Sequence, residues 1–136
     1  MKKNYDLAIA AYTKAYKCDV NYLIALLNRG NVYFELGNYS KAKADYEEAL
    51  FVNANSSFAY NNLASIALKN KDYEKARDLA SRSIELDAEN GAAYYNRGIA
   101  LQMLKDEAAS CADWKKASQL GVTDAKSFFN SSCLND

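Results

Sequence analysis

The chain has 136 residues, half of them apolar, and 17 basic residues balance 17 acidic ones, so no long-range field draws it to nucleic acid or anionic lipid. No apolar run approaches a bilayer span, which gives the expectation of a soluble domain with no nucleic acid and no membrane as partner. It has no histidine, which removes the usual general base, the usual zinc ligand and every Ser/His or Cys/His arrangement.

Met1-Lys2-Lys3 leads into an amphipathic segment without an apolar core or a cleavage site, so nothing here reads as a secretory signal. The compartment stays open, with the cytoplasm as default. Cys18, Cys111 and Cys133 form no CxxC pair and read as small buried side chains, with a Cys111 to Cys133 bridge left open. No metal-ligand spacing and no phosphate loop occur, and no cofactor or metal is expected.

In chain order, Tyr5 to Lys17 places Leu7, Ala8, Ala11, Tyr12 and Ala15 at three- and four-residue steps, which predicts an amphipathic helix. A second helix is predicted from Tyr22 to Leu36, where Gly37 supplies a left-handed stop. Its partner runs from Tyr39 to Val52, and the short connection makes the two antiparallel neighbours. The pattern recurs as Ser57 to Asn70 with Tyr73 to Leu86, then as Gly91 to Leu104 with Glu107 to Leu120. Gly121 closes the series. Thr123 to Cys133, opening on Thr123-Asp124 as a cap and carrying Phe128 and Phe129, predicts a terminal helix covering the last pair.

These pairs repeat one another. A shift of 34 residues lays Asn28 on Asn62 and Asn96, Tyr39 on Tyr73, and Ala42 on Ala76 without a gap, the mark of a helical repeat array. The division expected is 1–22 as the second helix of a partial unit, then 23–56, 57–90 and 91–121 as units, and 122–136 as a cap. Because Tyr5 and Ala8 correspond to Tyr39 and Ala42, the first helix of the opening unit is expected upstream, as in a piece of a longer array.

Comparison among the units predicts contacts within them. Small residues 12 apart (Gly30 with Ala42, Ala64 with Ala76, Gly98 with Ser110) suit a close helix crossing. Sixteen apart stand Arg29 with Asp45, Leu63 with Leu79, and Arg97 with Asp113, which predicts ion pairs in the outer two units and an apolar contact in the middle one. Thirteen apart stand Tyr33 with Tyr46, Ala67 with Ala80, and Leu101 with Trp114, so the middle unit is expected to be either the closest packed or the most hollow. Most of the eleven tyrosines, Tyr12, Tyr39, Tyr46 and Tyr73 among them, fall on the packing period and read as core.

The small residues Gly30, Ala64 and Gly98, the aromatics Tyr39 and Tyr73, the small Ala42, Ala76 and Ser110, and the trailing Ala49, Ser83 and Ala117 together resemble the tetratricopeptide repeat signature. The resemblance implies an all-α, right-handed superhelical α-solenoid of antiparallel helix pairs. It also implies a protein-interaction scaffold that holds a peptide or protein segment in its concave groove. The sequence departs from the family in having no proline, with Val20, Ala54 and Ala88 in its place. Helix stops then fall to Asn53, Asn55, Asp87 and Asn90, and helices are expected to run long.

The first helix of each unit would line the groove, which names Leu27, Asn28, Asn31 and Phe34, then Asn62 and Ser65, then Tyr95, Asn96 and Ile99 as candidate peptide contacts. An asparagine amide can pair with both N–H and C=O of an extended backbone, so Asn28, Asn62 and Asn96 would form a ladder. The same asparagines could instead bridge adjacent units. The family's carboxylate clamp for chaperone tails is disfavoured, because Leu27, Ala92 and Asn96 stand where its cations belong. The ligand expected is uncharged and partly apolar, held with roughly micromolar affinity, about 8 kcal/mol. Alternatives are a self-association module, with Leu7, Ala11 and Tyr12 as a strip for a second copy, or a non-catalytic fragment of a larger repeat protein. An enzyme is the weakest reading, since Asp45, Glu47 and Glu48 spread around a helix rather than converging.

Overall fold

The computed structural model describes residues 2–18 and 22–134, with side chains at 4–11, 13 and 22–134. The expected roles of the Tyr12, Ala15 and Cys18 side chains lie outside the described residues. Within them are eight helices and no strand: α1 (Lys2–Cys18), α2 (Tyr22–Glu35), α3 (Tyr39–Val52), α4 (Ser57–Lys69), α5 (Tyr73–Leu86), α6 (Gly91–Met103), α7 (Glu107–Gln119) and α8 (Thr123–Cys133). The chain is a solenoid of antiparallel helix pairs, α2 with α3, α4 with α5, and α6 with α7.

Helices α3 to α7 each begin where a short polar side chain satisfies a free backbone donor. Asn38, Asp72 and Asp106, spaced by 34, accept from the backbone N–H of Lys41, Lys75 and Ala109, each at 3.3 Å. Ser56 and Asn90 cap α4 and α6 in the same way. The helices do not run long. Asn53 and Asp87 end α3 and α5, each side chain accepting at 3.0 Å from the N–H two residues on, so a local turn replaces the missing proline. Nor is Thr123-Asp124 a cap: Val122 holds the N-cap position of α8, and its side chain has no oxygen to offer. Asp124 falls in the first turn, where it meets the positive end of the helix dipole instead.

Packing inside each pair follows a rule of complementary size. A Cβ on Gly30 would stand 2.6 Å from the Tyr46 ring, and one on Gly98 would strike the indole of Trp114. In the middle pair Ala80 replaces the aromatic, and the facing residue is Ala64 rather than glycine; both are fully buried. Ser110 Oγ donates to the Gly98 carbonyl at 2.8 Å, a bond that only a close crossing allows.

The ion pairs expected 16 residues apart are present. Arg29 donates to both Asp45 oxygens at 2.8 and 2.6 Å, and Arg97 to both Asp113 oxygens at 2.7 and 2.8 Å. Each arginine also reaches back to the preceding outer helix, Arg29 to Thr13 Oγ1 and Arg97 to Ser81 Oγ, both at 3.3 Å. Leu63 is buried in the apolar core, and Leu79 packs against it. The middle unit is hollow on its outer side, where Leu63, Ala67 and Leu79 floor an open cavity of about 250 Å³.

Successive inner helices touch, α2 with α4 and α4 with α6, whereas α3, α5 and α7 make at most marginal contact with one another. An array built this way must curve with α2, α4 and α6 on its concave side. At the far end α8 lies against the last pair, with Ala125 buried and Phe128 stacked 5.2 Å from Trp114. Cys111 and Cys133 are joined as a disulfide with Cα atoms 5.8 Å apart, which ties α7 to the end of α8.

Candidate functional site

Because α2, α4 and α6 are separated by the same 34-residue step, equivalent side chains stand side by side across the concave face. The asparagines there are bonded between units. Asn62 Nδ2 donates to Asn31 Oδ1 at 3.1 Å, while Asn96 Nδ2 donates to Asn61 Oδ1 at 2.8 Å and to Ser65 Oγ at 2.9 Å. The Tyr46 hydroxyl, rising from the outer helix of the same unit, donates to Asn31 Oδ1 at 2.6 Å.

This relay fixes which polar groups remain for a ligand. Asn31 Oδ1 already accepts two bonds, which sets the orientation of that amide and leaves its N–H donors without a partner among the described residues. Asn62 spends a donor and keeps its oxygen, so a donor and an acceptor stand on neighbouring helices. Asn96 has both N–H groups engaged and is only 8% exposed. Burial, then the carboxylates of Asp45 and Glu35, push the Tyr46 hydroxyl far above the usual phenol range, so it stays a donor.

Asn31, Phe34, Glu35, Tyr46, Asn62 and Ser65 line a hollow of about 280 Å³. Phe34 packs on Tyr39 with centroids 5.2 Å apart, and Lys69 Nζ stands 6.0 Å from the Phe34 ring. Near the opposite ends of α2 and α4, Ile24 and Phe58 are 61% and 62% exposed. Of the remaining candidates, Asn28 is half-buried, and Leu27 packs against two core clusters. Tyr95 and Ile99 are drawn into the cluster of Trp114, Ala117 and Ala125, and Tyr95 meets Phe128 at 5.8 Å. Burial, then Asp124, raises the Tyr95 hydroxyl above its ordinary range.

The polar row stops at α6 for a legible reason. Gly91 of α6 follows Ser57 of α4 by 34 residues, but Thr123 of α8 follows Gly91 by only 32. In that shortened register Phe128 occupies the place of Asn96, and a ring contact replaces the amide bonds. Trp114 likewise stands where Tyr46 does, but Ile99 replaces Asn31 and offers no acceptor. The buried Trp114 indole N–H has no hydrogen-bond partner among the described residues.

Two polar clusters escaped the sequence reading. Asn61 receives Asn96 because the bond joins residues 35 apart, an offset that follows from the tilt of one helix on the next and leaves no trace in the 34-residue spacing. Ser57, Ser83 and Asn90 form a buried triad: each serine donates to the other's carbonyl at 2.9 and 2.8 Å, and Asn90 Nδ2 reaches both hydroxyls at 3.0 and 3.2 Å. It knits α4, α5 and the start of α6, and presents no group to a ligand.

Among the described residues no helix is long and apolar enough to cross a membrane, and no three His, Cys, Asp or Glu side chains gather as a metal site.

A family model described as Tetratricopeptide repeat matches residues 27–91 and, in a second alignment, 61–117. No curated protein sequence is a significant match. Among solved structures, MamA is similar at 24% identity and TM-score 0.78, over 96% of this chain and 78% of that one. The Arabidopsis OM64 TPR domain is similar at 23% identity and TM-score 0.76, over 84% of this chain and 96% of that one. The second TPR of Spaghetti (RPAP3), bound to HSP90 peptide SRMEEVD, is similar at 26% identity and TM-score 0.68, over 72% of this chain and 91% of that one.

Proposed function

From the premise that the chain belongs to the tetratricopeptide repeat family, we propose that it is a non-catalytic scaffold that holds an extended, uncharged and partly apolar polypeptide along the concave face of α2, α4 and α6. The observation that carries this is the hollow at Asn31, Phe34, Asn62 and Ser65, where a free amide donor and a free amide oxygen stand on adjacent helices beside an aromatic ring. A peptide backbone presents C=O and N–H alternately, which is the complement of that pair. Its side chains would lie over Phe34 at one edge and toward Ile24 and Phe58 at the other.

The relative bound to the acidic peptide SRMEEVD supports peptide binding as a class. It does not carry over in detail, because Leu27, Ala92 and Asn96 put no cation where a terminal carboxylate would need one. Titration calorimetry against a panel of neutral, aliphatic-rich peptides is the test, with SRMEEVD as the charged control. The expected result is roughly micromolar binding of panel members. It should weaken at least tenfold in an Asn31→Ala, Asn62→Ala variant of unchanged helicity, with SRMEEVD unbound. Equal affinity in that variant would remove the groove as the site.

A further inference from the structure

On the outer face, three junctions separate α1, α3, α5 and α7, and two of them are bridged by the same charged device, although an open hollow of about 350 Å³ remains beside Arg97 at the α5–α7 junction. Arg29 passes outward to Asp45 and Thr13, and Arg97 to Asp113 and Ser81. At the middle junction the corresponding residues are Leu63, Leu79 and Glu47, so no guanidinium crosses it and its floor is apolar. A cavity of about 250 Å³ lies there, floored by Leu50, Leu63, Ala67 and Leu79 and rimmed by Lys43, Glu47, Asp72 and Lys75.

Phe51 sits four residues past Glu47, hence on the same strip of α3, and is 87% exposed. Steps of 34 residues from it reach Lys17, Glu85 and Gln119, so this position is polar everywhere else in the array. One patch therefore carries an apolar hole, an apolar knob beside it, and a rim of two cations and two anions.

We propose that this patch is the interface of a two-fold symmetric homodimer, in which Phe51 of each copy seats in the α3–α5 cavity of the other. A two-fold interface must be complementary to itself, which requires knob and hole on one surface. The rim meets the same condition: Lys43 and Lys75 can face Glu47 and Asp72 of a second copy, whereas a ligand of one charge would meet its own sign on half the rim. The Lys43 to Glu47 ion pair within the rim is 3.8 Å long and exposed at both ends, so exchanging it between copies costs little. Formal charge is zero, so the copies do not repel as wholes. Docking removes an exposed phenyl ring and the half-buried Leu50 and Leu79 from water together.

The test is sedimentation equilibrium from micromolar to submillimolar protein on the chain and three variants. Phe51→Lys removes the knob at an exposed position. Leu63→Arg with Leu79→Asp replaces the apolar floor of the hole by the charged clamp that already folds twice in this chain. Leu7→Glu disturbs α1 instead. The expected result is a dimer that weakens at least tenfold in the first two and is unchanged in the third. A monomer throughout, a dimer that survives Phe51→Lys, or a dimer lost with Leu7→Glu would each overturn the proposal. Circular dichroism checks the double variant, and should it misfold, Phe51→Lys decides alone.

Discussion

The flanking units and the middle one solve the same packing problem with opposite chemistry. Where the outer helix carries an aromatic, Tyr46 or Trp114, the inner helix gives way to glycine, and an arginine clamp ties the unit to its predecessor. Where the outer helix carries Ala80, the inner residue is Ala64, and leucines replace the clamp. The first arrangement is rigid because two hydrogen-bonded charges fix both helices in direction as well as distance. The second only excludes water. The outer face therefore carries a charged staple at each end and an apolar contact in the middle.

The largest effect should come from filling the close crossing. Gly98→Leu forces a branched side chain into the space of the Trp114 indole, and is expected to cost about 4 kcal/mol or more, whereas Ala64→Gly in the middle unit should cost about 1 kcal/mol. Urea denaturation midpoints compare the two. Similar losses would mean that the aromatic and alanine crossings are equally tolerant, against the size rule.

Next comes the clamp. Arg29 and Asp45 are more buried than Arg97 and Asp113, so Arg29→Leu alone, which strands a nearly buried carboxylate, should cost about 3 to 5 kcal/mol, and Arg97→Leu somewhat less. Converting both partners, Arg97→Leu with Asp113→Leu, copies the middle unit and should be nearly neutral. The reverse exchange, Leu63→Arg with Leu79→Asp, should be milder than the worse of its single changes. A double change as costly as its singles, in either direction, would show that the pairs do not act as units.

How much of this the sequence disclosed depends on whether an interaction repeats with the chain's own period. The ion pairs were legible because Arg/Asp and Leu/Leu alternate at a fixed 16-residue spacing, so each unit checks the others. Of the residues named for the candidate groove, Asn31, Phe34, Asn62 and Ser65 line one hollow, while the half-buried Leu27, Tyr95 and Ile99 also pack against core clusters, which the 34-residue spacing does not disclose. The Asn96 to Asn61 bond depends on how neighbouring helices slide past each other, which spacing does not encode. Phe128 enters the ladder position through a two-residue contraction before α8, and counting from Thr123 rather than from Gly91 could have found it. The disulfide stayed open because only the fold-back of α8 brings Cys133 to Cys111.

The finest comparison concerns the turn inside each unit. Gly37 takes φ +78° there, as expected of glycine, but Lys71 and Lys105 hold φ +60° and +69° in the same turn. The reason is the shared hydrogen bonding: Asn38, Asp72 and Asp106 each donate a backbone N–H to the carbonyl five residues back, at 2.8, 2.9 and 2.9 Å, while their side chains cap the next helix. Those bonds impose the left-handed conformation on whatever residue precedes the cap, and a lysine Cβ there crowds its own carbonyl at about 1 kcal/mol. Lys71→Gly should recover about 0.5 to 1 kcal/mol after the extra freedom of glycine in the unfolded chain is deducted. That corresponds to a Tm higher by roughly 2 to 4 °C. Gly37→Lys should lose a similar amount. Equal and opposite shifts in the two melts would establish that the cap, rather than glycine, is what sets this turn, and hence why the repeat tolerates lysine at two of its three turns.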